Sequence, residues 1–116
     1  MSMQTSFINL ATPAFEGGVY PKGSAPPYAG PYATFFRVAG VEGLTLDKNG
    51  GTDNETNTRL QVDVYAKSYT EAQAAADALK ALLKDWSRDN VVLLEMDGHE
   101  PDTGLHSVTL DISVWH

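Results

Sequence analysis

The sequence predicts an α+β fold of two layers, a mainly antiparallel sheet with one main helix packed on one face. Two segments carry the sheet signal. Leu60, Val62, Val64 and Ala66 alternate with Gln61, Asp63, Tyr65 and Lys67, and His106, Val108, Leu110, Ile112 and Val114 alternate with Ser107, Thr109, Asp111, Ser113 and Trp115. That period of two is what a strand shows when one face is covered and the other is wet. Between them, Ala72, Ala75, Ala76, Leu79, Leu82, Leu83 and Trp86 recur at steps of three and four, the period of an amphipathic helix. Both apolar rows need a cover, and the helix supplies it.

The remaining elements follow in chain order. Gly17, Gly18, Pro21, Gly23, Pro26, Pro27, Gly30 and Pro31 crowd one stretch, so residues 1–31 are expected to form an extended arm. Tyr32, Thr34, Phe36 and Val38 then alternate with Ala33, Phe35 and Arg37, an aromatic strand partly buried on both faces. Residues 41–58 turn to Gly, Asn, Asp and Thr, including Asn49-Gly50-Gly51, and are expected to be a mobile loop or long hairpin tip. Ser68 stands three positions before Glu71, a capping-box spacing that starts the helix near Tyr69. Its alanine-rich first half permits close approach to the sheet. Val91 to Leu94 reads as a short buried strand, followed by turn chemistry at Asp97-Gly98 and at Pro101-Asp102-Thr103-Gly104. The predicted order is strand, long loop, strand, helix, strand, strand, in a single domain covering residues 1–116.

Composition narrows the function. Acidic residues outnumber basic ones, 15 against 8, and the net charge of −7 opposes the counterion release on which phosphate-backbone binding depends. No sequence-specific nucleic-acid contact is expected. The chain has no cysteine, which removes disulfides, thiolate nucleophiles and cysteine zinc sites. No stretch approaches the roughly 20 apolar residues that span a bilayer, and no basic-then-apolar leader opens the chain, so synthesis in the cytosol is expected.

No catalytic constellation emerges. His99 and His106, even with Glu95, Glu100 or Asp102, offer too few ligands for zinc and read as solvated turn histidines. Serine, histidine and aspartate all occur, but no Gly-x-Ser-x-Gly elbow places a hydroxyl beside a base. Gly17-Gly18 and Gly23-Ser24 lack both the spacing and the following helix of a phosphate loop. Neither metal nor cofactor is expected. The chemistry lies instead in the sheet face turned away from the helix, where Tyr65, Lys67, Asp111 and Trp115 fall together by alternation. Tyr65 and Trp115 are candidate interface anchors, with a place flanking the sheet edge or core as the competing reading; Phe35 falls to the core. The loop adds Leu44, Leu46 and Asp47 to the candidate contact set.

Three segments carry a family resemblance: Val19-Tyr20-Pro21 with Ala25-Pro26-Pro27-Tyr28, the run from Arg59 to Tyr69, and the ending Leu110-Asp111-Ile112-Ser113-Val114-Trp115-His116. In this order they resemble the tail-completion, or tail-terminator, proteins of long-tailed phages and prophages, over nearly the whole chain. The resemblance implies a structural virion protein and not an enzyme. It implies self-association, commonly as a hexameric ring, that caps the tail tube protein and docks it to the head-tail connector protein. Members usually carry a helix before the arm, whereas Phe7 to Phe15 is short and holds Pro13. Two other classes remain open: a monomeric protein-binding adaptor, and a small-ligand domain or enzyme, which a concave pocket with converging polar groups and perturbed titrating residues would favour.

Overall fold

Leu60, Val62 and Val64 sit directly across from Ile112, Leu110 and Val108, and all six are fully buried. This pairing is the centre of the fold. It joins two antiparallel strands, β3 (Thr56–Ala66) and β5 (Leu105–Trp115), as the two alternating segments require. β2 (Tyr32–Glu42) pairs antiparallel with β3, and β4 (Asn90–Glu100) pairs antiparallel with β5. A short β1 (Val19–Pro21) runs parallel to β2, giving a five-stranded sheet in the order β1-β2-β3-β5-β4. The computed structural model describes residues 3–24, 27–42 and 56–115.

The predicted helix forms as α2 (Tyr69–Lys84), and Ser68 caps it: its hydroxyl oxygen accepts from the Glu71 backbone N–H at 3.2 Å. Ala72, Ala75, Ala76, Leu79 and Leu83 are buried against the sheet, so the phase read from the spacing is the phase adopted. At the far end Asn90 donates from its amide to the Leu83 and Arg88 carbonyls, both at 2.9 Å, which serves an orphan carbonyl of the last turn and opens β4.

The amino-terminal reading needs correction. Within residues 1–31, which were expected to be an extended arm, Met3–Ala11 is a helix, α1, and Thr12–Ala14 adds one 3-10 turn. Met3, Phe7 and Ala11 recur at steps of four and are buried in the same core as α2. Pro13 does not break this helix, because it stands in the first turn of the following 3-10 segment, where a missing N–H costs nothing. Phe7 is fully buried, edge-on to Phe35 at 5.5 Å and 6.1 Å from Trp86, while the Trp86 indole donates to Ser6 at 3.2 Å. A nine-residue helix is too short to stand alone, and this packing holds it. The arm proper begins at Gly17, whose N–H donates to the Pro31 carbonyl at 2.8 Å. A side chain there would meet the Gly30 carbonyl oxygen at 2.5 Å, so only glycine fits.

The segment Val91 to Leu94 is also corrected. It belongs to an eleven-residue edge strand, and Val91, Leu93 and Leu94 are about half exposed. The pairing of β4 with β5 shifts between Val92 and Leu94, a bulge that turns Leu94 to the open side and Glu95 toward α2. There Glu95 meets Lys80 at 2.7 Å and Gln73 at 3.0 Å, which with the lysine charge holds its carboxyl below the usual range. Asp97-Gly98 continues the strand, paired with Val108 and Ser107, and the turn comes only at 101–104, where Gly104 takes φ +73°. Of the expected loop at 41–58, both ends are strand, Val41–Glu42 in β2 and Thr56–Thr58 in β3; its middle lies outside the described residues.

Candidate functional site

Strand pairing sets the composition of the open face. Cross-strand partners share a face, so reading across the sheet gives the rows Tyr32–Tyr65–Ser107–Gly98, Thr34–Asp63–Thr109–Met96 and Phe36–Gln61–Asp111–Leu94. A fourth row holds Arg59, Ser113 and Val91, and a fifth holds Asn57 and Trp115.

One end of this face is aromatic. Tyr32 and Tyr65 stack at 5.1 Å with planes 26° apart, and Tyr28 meets Tyr32 edge-on at 6.1 Å. Lys67, exposed just past the end of β3, holds its ammonium 5.1 Å from the centre of the Tyr28 ring. With Thr103 and Gly104 of the β4–β5 turn and Leu105 at the start of β5, Tyr28, Tyr32 and Lys67 line a recess of about 550 Å³. Burial, helped by the nearby Asp63 and Glu100 charges, pushes the Tyr65 hydroxyl up to about 12, and burial also raises Tyr32. Both phenols therefore keep their protons near neutral pH and act as hydrogen-bonding groups, not as bases.

The middle of the face is polar and satisfied. Thr109 donates to the buried Asp63 at 2.7 Å, Asn57 donates to Ser113 at 2.8 Å, and Arg59 forms an ion pair with Asp111. Among the described residues, no buried side-chain oxygen or nitrogen lacks a partner, and no three His, Asp or Glu side chains gather to hold a metal. The β4 border is apolar: Val91, Leu94 and Met96 are 47%, 52% and 54% exposed, with Leu93 beside them at the bulge.

Tyr65, Asp111 and Trp115 do lie on one face, and Lys67 extends it at the tyrosine end. They do not form one cluster. Tyr65 and Trp115 stand at opposite ends of the β3–β5 pairing, and Asp111 is committed to Arg59. Leu44, Leu46 and Asp47 lie outside the described residues. Two groups escaped the sequence reading: the tyrosine partners Tyr28 and Tyr32, and the exposed apolar border of β4. The spacing of Tyr32 across from Tyr65 depends on strand register, which periodicity alone does not supply.

The family model described as "Tail completion protein gp17" matches residues 10–116, from the last turn of α1 to the end of the chain. The chain belongs to that family. As a tail completion protein it is a structural component of a phage tail, and the resemblance read from the three segments holds. Every strand and α2 of this tail completion protein fall inside the match. Among solved structures, a chain described as "Virion of native gene transfer agent (GTA) particle" superposes with a TM-score of 0.61 at 18% identity, covering 94% of this chain and 82% of that one. At that identity the likeness is one of fold. No curated protein matches the chain. No described helix is long and apolar enough to cross a membrane.

Proposed function

We propose that this tail completion protein works by assembly alone: it self-associates as a ring, most simply a hexamer, that caps the tail tube and docks the tail to the head connector. The observation that carries this reading is the open face. It leaves a tyrosine cluster at one end, Trp115 at the other and half-exposed Val91, Leu94 and Met96 along its border. Partly exposed aromatic and half-exposed apolar side chains around a satisfied polar centre have the composition of a contact surface. Two ends of different chemistry suit head-to-tail contacts, which repeat around an axis and close. The net charge of −7 adds that DNA passing through such a ring would not adhere to it. The working location is then the tail-head junction of the virion, reached after synthesis in the host cytoplasm.

Catalysis finds little support in the same geometry. The perturbed groups beside the recess are the tyrosines Tyr32 and Tyr65, raised mainly by burial and held protonated. The recess serves better as a pit that receives a partner's side chain.

The test is complementation of a terminator-defective phage with Trp115→Ala, checked first for solubility and native fold. A desolvated anchor is worth on the order of 2 kcal/mol at each contact, and a closed ring multiplies that loss. Overlong or headless tails are expected by electron microscopy. Normal virions would remove Trp115 from the interface and with it the assignment of this face.

A further inference from the structure

The outer edge of β4 raises a separate question. β4 ends the sheet, and among the described residues nothing pairs with its far side. It is eleven residues long, and every residue from Leu93 to Glu100 is exposed. Alternate residues of such a strand turn their N–H and C=O groups outward, a template for one more strand. Edges are ordinarily guarded by lysine, by proline or by a bulge. Residues 90–100 contain neither lysine nor proline, and the bulge lies between Val92 and Leu94, ahead of the regularly paired residues 94–100.

The two sides of β4 differ in chemistry, and the bulge at Leu93 makes them so. On the open side stand Leu94 and Met96, both more than half exposed; on the α2 side stand Glu95 and Asp97. Glu95 is answered by Lys80, while Asp97, among the described residues, accepts from the Tyr69 hydroxyl at 3.1 Å and meets no cation. We propose that the β4 edge accepts an extended strand from a different protein, whose side chains alternate apolar toward Leu94 and Met96 with basic toward Glu95 and Asp97. Backbone pairing supplies the docking and the two-sided pattern supplies the selectivity.

No described strand of a second copy fits. Two β4 edges set side by side would bring acidic sides together, a repulsive pairing. No described strand of the chain carries basic residues at alternate positions, since β2 has only Arg37, β3 only Arg59, and β4 and β5 have no lysine or arginine. The opposite edge, β1, is three residues long and ends in Pro21.

The inference does not depend on self-association through the open face, and one set of measurements keeps them apart. The probe is a labelled synthetic peptide of alternating lysine and valine, long enough to span β4, titrated near physiological ionic strength. Controls are an isomer with the same residues grouped in blocks and a glutamate–valine counterpart. Binding of the alternating peptide is expected, with slowed hydrogen exchange confined to β4 amides and with the block isomer at least about tenfold weaker. Asp97→Lys should cost the lysine peptide about tenfold and favour the glutamate peptide, while Asp97→Asn should lie between. Trp115→Ala should bind the peptide as the parent does, whatever it does to assembly. Equal binding of the block isomer, protection outside β4, an unchanged preference in Asp97→Lys, or loss of binding in a folded Trp115→Ala would each overturn the proposal. So would concentration-dependent protection of β4 without peptide, which would assign the edge to a second copy.

Discussion

Truncating Phe7 to alanine should cost this protein a large share of its stability. Phe7 has no exposed surface, meets Phe35 edge-on at 5.5 Å and lies 6.1 Å from Trp86. Removing a buried phenylalanine costs about 3–5 kcal/mol, and each aromatic pair adds about 0.5–1.5 kcal/mol beyond its buried area, so the loss should fall at the upper end of that range. Against a total of about 5–15 kcal/mol for a domain of ordinary stability, that is a quarter or more. Urea unfolding followed by circular dichroism measures it. A double-mutant cycle of Phe7→Leu with Trp86→Leu isolates the ring contact, with an expected coupling of about 0.5–1.5 kcal/mol. If α1 were an arm that merely rests on the domain, Phe7→Ala would cost no more than a surface change, about 0.5 kcal/mol, and the cycle would show no coupling. That pair of results would refute the placement of α1 in the core.

Leu79→Ala, at the fully buried centre of the α2 stripe, should cost about 2–5 kcal/mol in the same assay, while Lys80→Ala should cost under about 1 kcal/mol, since it removes only partly exposed ion pairs to Glu95 and Asp77. Equal effects would mean that the helix phase is wrong. Alkaline pH tests the tyrosine cluster. The Tyr65 hydroxyl is raised from 10 to about 12 in the fold, so the unfolded chain releases this proton first, and the stability fully present below pH 10 is lost as pH rises through 12. Tyr65→Phe should flatten that part of the stability–pH curve, and an unchanged slope between pH 10 and 12 would contradict the burial of Tyr65.

Elements whose covered face is continuous were legible in the sequence. β3, β5 and α2 each bury one unbroken row, so period alone reveals both type and phase, and the Ser68 cap marks where α2 begins. α1 was obscured by Pro13 and by its length, although Met3, Phe7 and Ala11 carry a step of four that a helix reading would have used. β4 misled for a different reason. Its apolar run, Val91 to Leu94, has the composition of a buried strand, but Val91 and Leu94 stand on the face turned away from α2, because a bulge reverses the alternation midway, and only Val92 packs against the core. The candidate face was partly legible: alternation places Tyr65, Asp111 and Trp115 together, but only register reveals that Tyr65 stacks on Tyr32 and that the apolar border of β4 adjoins the same face.

Whether this protein completes the tail at its head-proximal end, as proposed, is decided by electron microscopy of virions in which this subunit carries a fused label. Label density is expected at the junction of tail and head, with a fixed number of copies arranged around the tail axis. Label along the tube, at the distal tip or absent from finished virions would contradict it.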